Sequence, residues 1–321
     1  MTLTSPRIAG ALLAALVVAS AIAQPYPARP VRLVVPLAAG GGMDTIARGL
    51  SAKLTDSLGQ SVVVDNRGGG GGTIGAGIVA HAAPDGYTLL MMSSTAVIHP
   101  LMYKSDYDLA RDFTPVSQVT TQPYVWVANL ALPVKSVGEL IAYAKANPGR
   151  LNYASSGNGS LIHLASELFR ISAGIRMVHV PYKGIGAAYP DLIAGQVQLI
   201  CASIISALPL INSQRIRPLA VTGARRAQTL PDTPTVAEAG VPGFVVNQWY
   251  GVLAPAGTPH AVVTRLNRDI GAALASAEMQ GKLAADGADA AGSSPQQFAA
   301  LLKSEREKWA RVIREAGIRG D

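Results

Sequence analysis

The chain has 321 residues, 49% of them hydrophobic and 15% charged, with a formal net charge of +7. That composition excludes a disordered chain and supplies apolar surface for about two ordinary domains. A single cysteine, Cys201, excludes an internal disulfide framework and a cysteine-based zinc cluster.

Residues 1–23 read as an export signal rather than as part of the fold. Arg7 supplies positive charge, residues 8–19 are small or apolar throughout, and Ala21-Ile22-Ala23 matches the small-x-small pattern that precedes cleavage, with Gln24 as the new terminus. A membrane anchor is the alternative, but the apolar run falls short of the roughly 20 residues needed to span. In an exported protein the positive balance favours small anions or is simply a solvated surface. No dense basic run interleaved with aromatics supports a nucleic-acid role.

Residues 31–35 read as a buried strand, halted by Pro36 and the glycines at 40–42. A helix follows over 44–58, where Ile46, Leu50, Leu54 and Leu58 fall four apart on one face. Next come a strand at 62–64, a glycine run at 68–72, a helix over 74–81, a turn at Pro84-Asp85-Gly86 and a strand at 87–92. The alternation restarts with a helix over 137–146, a strand at 151–154, a loop at 155–160 and a helix over 161–171. Strands at 177–180, 197–201 and 217–221 follow, with a helix over 186–194 among them. The tail is helical over 260–276 and 295–316, with Trp309 as a core residue of the second helix. Repeated strand–loop–helix units predict an α/β fold with parallel sheet covered on both faces. The expected architecture is two-lobed: 24–124 plus 250–321 form one domain, 125–249 the other, with a ligand cleft between them and a C-terminal helical return.

In open α/β sheets ligands bind at the carboxyl ends of strands. The glycine loops at 40–42 and 157–159 sit at such ends, and each opens a helix whose free N–H groups and positive dipole end suit an anion. Facing each other across a cleft, they would hold two carboxylates of one ligand. Ser160 is a natural N-cap, and Ser155, Ser156 and Asn158 add hydrogen-bonding side chains. His163, one turn into its helix, would face the ligand or serve as a core or capping histidine. Trp249 lies where the chain recrosses the cleft and would wall the ligand, with ordinary packing at a hinge as the alternative. Tyr182 follows a strand end and would line the mouth.

Catalysis and cofactors have no visible machinery. Gly70 to Gly75 formally satisfies G-x-G-x-x-G, but no acidic residue follows about twenty positions on at a strand end. Neither G-x-x-x-x-G-K-[ST] nor G-x-S-x-G occurs, and the five histidines include no i, i+4 pair for a metal. The expectation is a binding protein with no cofactor, no metal and no enzymatic activity.

Several segments are similar to the extracytoplasmic solute receptors of tripartite tricarboxylate transporters, the Bug receptors. They are Tyr26-Pro27-Ala28-Arg29-Pro30, Val34-Val35-Pro36-Leu37-Ala38-Ala39-Gly40-Gly41-Gly42, Ala83-Pro84-Asp85-Gly86-Tyr87-Thr88-Leu89 and His179-Val180-Pro181-Tyr182-Lys183-Gly184, joined by Leu230-Pro231-Asp232-Thr233-Pro234. The match runs in order along essentially the whole chain after the signal. It implies a periplasmic two-domain protein that closes on a small carboxylate and passes it to the transporter's membrane subunits. A membrane sensor kinase as the recipient is the alternative. The resemblance also implies that one carboxylate is gripped by Ser156, Gly157, Asn158, Gly159 and Ser160, and the other by Leu37, Ala39, Gly40, Met43 and Asp44. Ser94 and Thr95 would contribute at a third strand end, and Ala202 and Ser203 at a fourth. Two departures bear on the ligand. Cys201-Ala202 stands where many relatives have Phe-Asp, which argues against an amino-acid ligand because an ammonium group loses its partner. Met43 replaces a small polar residue and would suit an apolar ring or simply plug space.

Overall fold

The structure is a computed structural model that describes residues 26–285 and 287–320. The expected export signal at 1–23 lies outside the described residues.

The first half of the chain builds β1 (Val31–Val35), α1 (Gly42–Leu58), β2 (Val62–Asn66), α2 (Thr73–Ala80), β3 (Thr88–Ser93) and α3 (Thr95–Met102). The three strands run parallel in the order β2-β1-β3. Val31, Leu33, Val34 and Val35 are each 1% exposed or less. A parallel strand covered by helices on both faces must be apolar on both, and the valine and leucine residues of β1 meet that need, with Arg32 near its start reaching out to pair with Asp65.

A 16-residue strand follows, β4 (Phe113–Ala128). The second half then repeats the alternation with α4 (Val137–Ala146), β5 (Leu151–Ser155), α5 (Leu161–Ala173), β6 (Met177–Pro181), a 3₁₀ turn at Ile185–Ala188 running into α6 (Tyr189–Ala194), β7 (Leu199–Ser203), α7 (Ile204–Asn212) and β8 (Arg217–Val221). The chain returns through β9 (Asn247–Pro255) and ends with α8 (His260–Ala275), α9 (Ala277–Ala285), the short β10 (Asp289–Ala290) and α10 (Pro295–Ala316).

The strand order β2-β1-β3-β9-β4-β7-β5-β6 makes β4 the strand shared by two sheets. Residues 113–123 of β4 pair antiparallel with β9, and residues 124–128 pair antiparallel with β7 and β8. β4 and β9 thus carry the chain between the halves. Neither was foreseen as a strand. Pro115 and Pro123 explain the miss in β4, because proline cannot donate to a ladder and reads as a strand breaker. The structure puts Pro115 beside a register irregularity and Pro123 at the last β9 pair before β4 joins β7 and β8.

Other differences are local. The apolar stretch beginning at 197 divides into β7 and α7, and the expected 186–194 helix splits between the 3₁₀ turn and α6. α3 and α9 were also unforeseen. α10 spans both halves: Phe298 and Leu302 join the core beneath β3 and β9, whereas Trp309 and Val312 join the core around β5 and α5. Trp309 is fully buried, as expected of a core residue, and its indole N–H donates to Glu305 Oε2 at 2.9 Å. Among the described residues no helix is long and apolar enough to cross a membrane.

Candidate functional site

Four strands end at one place. β1, β3, β5 and β7 each deliver the chain into a helix, and the first residues of α1, α3, α5 and α7 line a single cleft of about 660 Å³ between the two sheets. Gly42 and Thr95 come from the first half; Ser160, Leu161 and Ile162, then Ser203, Ile204 and Ile205, come from the second. The crossing strands form the floor, with Gln122 and Tyr124 on β4 and Gln248 and Tyr250 on β9.

The helix ends give this cleft its electrostatic character. Every helix start leaves N–H groups without intrahelical partners, and the macrodipole places partial positive charge there. A side-chain cap usually absorbs that capacity. α5 has one, since Ser160 Oγ accepts from the His163 N–H at 3.2 Å. α1, α3 and α7 have no side-chain cap at Gly41, Ser94 or Ser203. Among the described residues, those lining the cleft include no Asp, Glu, Lys, Arg or His. Among these residues an anion would therefore meet helix ends, hydroxyls and amides, and an ammonium group would meet no carboxylate.

Of the expected residues, Thr95, Ser156, Ser160 and Ser203 line the cleft. Leu37, Ala39, Gly40, Gly157, Asn158 and Gly159 lie on the two loops expected to carry the anion sites, without forming the wall itself. Leu37, Ala39 and Gly40 are exposed.

The remaining expected residues are placed elsewhere. Met43 is 2% exposed and packs in the core with Ile46, Ala47 and Leu50, the positions three, four and seven residues on. Its thioether belongs to the core face of α1 and not to the cleft wall. Replacing Met43 by threonine is expected to cost about 2 kcal/mol of stability and leave ligand preference unchanged. Urea unfolding together with a competition titration checks both halves of that statement.

Asp44 is also buried and acts on the loop. Its Oδ2 accepts from the Gly40 N–H at 2.9 Å and from Arg48 Nε at 3.0 Å, and its Oδ1 accepts from Asn66 Nδ2 at 3.0 Å. The Arg48 hydrogen bond, helped by those from Gly40 and Asn66, holds its carboxyl below the usual carboxylate range. Asp44 thus ties the first glycine loop to α1 and β2.

His163 does the same for the second loop. Its Nδ1 accepts from the Gly159 N–H at 3.1 Å, and its ring stacks on His179 with centroids 3.8 Å apart. His179 Nε2 lies 2.6 Å from Ser155 Oγ, which accepts from the Gly157 N–H. Behind them Tyr153 stacks on His179 and donates to Glu167, itself paired with Arg170. Burial, and secondarily the neighbouring His179, lowers the His163 pKa from 6.5 to about 4; burial also lowers that of His179. The unfolded chain takes up these protons first, so the stability held by the neutral pair is complete above pH 6.5 and is lost as pH falls towards 4. The thermal midpoint is expected to fall by several degrees between pH 7 and pH 5, and His163→Gln to remove part of that slope.

Trp249, Ala202 and Ser94 are likewise not on the cleft wall. Trp249 is 2% exposed and meets Phe298 edge-to-face at 5.5 Å. Side chains alternate along a strand, so it is the adjacent Tyr250 that lines the cleft. Ala202 is fully buried, packed with Val125 and Ile200. The expectation against amino acids therefore rests on the described lining residues, which include no acidic one, and not on position 202. Ser94 is fully buried, with its N–H donated to the Trp249 carbonyl. Tyr182 turns away, its hydroxyl donating to Asp191 at 2.6 Å.

Sequence reasoning missed the floor. The Tyr124 hydroxyl donates to Gln248 Oε1 at 2.6 Å, and Gln248 Nε2 donates to the Tyr250 hydroxyl at 3.2 Å. This chain of polar groups runs across the paired strands β4 and β9. The signal was the alternation around Trp249, but its phase is unreadable until the neighbours of each face are known.

A family model described as "Tripartite tricarboxylate transporter family receptor" matches residues 46–318. An R. palustris protein solved with adipate is 41% identical, with 92% of this chain and 100% of that one covered and a TM-score of 0.75. The periplasmic binding protein BugD is 37% identical, with 92% and 100% covered and a TM-score of 0.72. MatC from Rhodopseudomonas palustris, solved with bound malate, is 35% identical, with 90% and 100% covered and a TM-score of 0.70.

Proposed function

The chain belongs to the tripartite tricarboxylate transporter receptor family, and from that premise we propose that it is a periplasmic receptor that captures a small organic acid, a di- or tricarboxylate or an aromatic carboxylate. The observation that carries this reading is the convergence of four helix N-termini, three without side-chain caps, on a cleft in which the described lining residues include no charged one. A hydrogen bond to a charged acceptor contributes about 1.5–3 kcal/mol, so a few from each side reach the roughly 8 kcal/mol of micromolar binding. The adipate and malate held by the two R. palustris relatives are acids of the proposed kind.

Residues 24–124 with 250–321 form one domain in this reading, and 125–249 form the other. They close about the β4–β9 crossing, because only a closed form lets loops from both halves touch one ligand. The closed form delivers the acid to the membrane subunits of the transporter. Residues 1–23 direct export and are removed. In this reading the protein binds its ligand and does not turn it over.

The test is a thermal-shift panel of mono-, di- and tricarboxylates on mature protein refolded to strip carried-over ligand. An acid at 100 times its Kd should add about 2.7 kcal/mol and raise the midpoint by several degrees. A midpoint unmoved by every acid would overturn the reading.

A further inference from the structure

The second-half wall of the cleft is built from branched carbon. Ile185 starts the 3₁₀ turn before α6, and Ile204 and Ile205 are the first two residues of α7. All three line the cleft. Ile204 is 3% exposed and belongs to the core, but Ile205 keeps 46% of its surface exposed. Among the described residues it is the one large, exposed apolar side chain on the cleft wall. The first turn of a helix favours acidic and small polar residues, so folding alone gives no reason for an exposed isoleucine there. The chain before β10 comes against it: a β-carbon at Gly287 would stand 3.4 Å from Ile205 Cβ, an ordinary packing distance.

The hydroxyls on this side are turned to one another. Ser203 Oγ donates to Ser206 Oγ at 2.8 Å, and the Tyr189 hydroxyl lies 2.8 Å from the same oxygen. The other polar side chains of the lining, including Thr95, Ser156 and Ser160, sit at the helix ends and on the floor. Carboxylates would therefore lie at the ends of α1, α3 and α5, with the carbon body of the ligand against Ile185 and Ile205.

We propose that this receptor selects acids whose carbon body carries no hydroxyl, and that Ile185 and Ile205 determine the selection. The inference rests on the carboxylate reading above and names its substrate class. A hydroxyl pressed against this wall loses water without gaining a partner, worth about tenfold or more in affinity. Each methylene covered by it gains about fourfold.

Calorimetric titration of the stripped mature protein with pairs differing by one hydroxyl tests this: succinate against malate, and propane-1,2,3-tricarboxylate against citrate. The member without the hydroxyl is expected to bind at least about tenfold tighter, and adipate tighter than succinate. Ile205→Asn, at an exposed position, and the milder Ile205→Thr are expected to keep the ligand-free melting midpoint and shrink the ratio to about threefold or less. Equal or tighter binding of the hydroxylated members overturns the inference and leaves the carboxylate reading standing. A wild-type ratio unchanged in Ile205→Asn, Ile205→Thr and Ile185→Asn overturns the assignment to these residues. Binding of none of the acids overturns the carboxylate reading and the inference with it.

Discussion

Replacing Gly42 by aspartate is expected to weaken carboxylate binding at least about a hundredfold while leaving the protein as stable as before or slightly more so. Gly42 is the first residue of α1 and lines the cleft. A β-carbon there would meet nothing closer than the Tyr250 hydroxyl at 3.8 Å, an ordinary contact. The new side chain therefore fits. An acidic group in the first turn of a helix favours folding by a few tenths of a kcal/mol. The same charge beside a bound carboxylate costs about 4 kcal/mol at 4 Å and an effective dielectric near 20. Stability and affinity then move in opposite directions, which general damage to the fold cannot produce. Asp44 does not already impose this cost, because its carboxylate is buried against Arg48, Asn66 and the Gly40 N–H. Gly42→Asn is the control: it has nearly the same shape without the charge, and should lose less than about tenfold. Calorimetry and thermal melts on the three proteins decide the matter. Wild-type affinity in Gly42→Asp would show that the helix ends are not where the anion sits.

Gly251→Ala is expected to cost about 2–3 kcal/mol, large for the addition of one methyl group. Gly251 lies two residues from Trp249 on β9, so both face the same side of the sheet. The buried Phe298 ring of α10 covers that side, edge-on to Trp249, and a β-carbon on Gly251 would overlap its ring carbons. The residue is glycine because an aromatic ring occupies the place of its side chain. Phe298→Leu removes the obstacle and costs about 1–2 kcal/mol by itself. The double variant Gly251→Ala/Phe298→Leu should then be markedly less destabilised than the two single changes together. Urea unfolding of the four proteins measures the coupling, and strict additivity would rule out the direct clash. The contact matters beyond the core because β9 carries both Trp249, inside, and Tyr250, in the cleft.

The two strands that join the halves show where sequence reading stops. Elements with a strong local signature were legible: the valine-rich run of β1, the four-residue spacing of α1 and the Ser160 cap of α5. Their backbone hydrogen bonds and side-chain periodicity are satisfied within a few residues, so the information is local. β4 contains two prolines and little alternation, and its partners come from β7, β8, β9 and β10. It is a strand because those partners surround it, and nothing near it in sequence says so.

The site divides along the same line. Glycine and serine before a helix are legible as an anion loop, since the chemistry belongs to the backbone of the loop itself, and Ser156, Ser160, Thr95 and Ser203 do line the cleft. The direction of each side chain depends on what packs behind it. The resemblance sets Met43 and Asp44 at the ligand, and His163 reads either as facing it or as a core or capping histidine; in the fold a helix core, an arginine and a second histidine hold the three side chains. Trp249 and Tyr250 are adjacent and both aromatic, and only the location of Phe298 decides which one is inside. The amino-acid sequence by itself determined the α/β alternation and the glycine–serine loops, because these follow from backbone propensities and local periodicity. The tertiary structure alone decided which faces look into the cleft, because a side chain's direction is set by whichever distant element covers its other side.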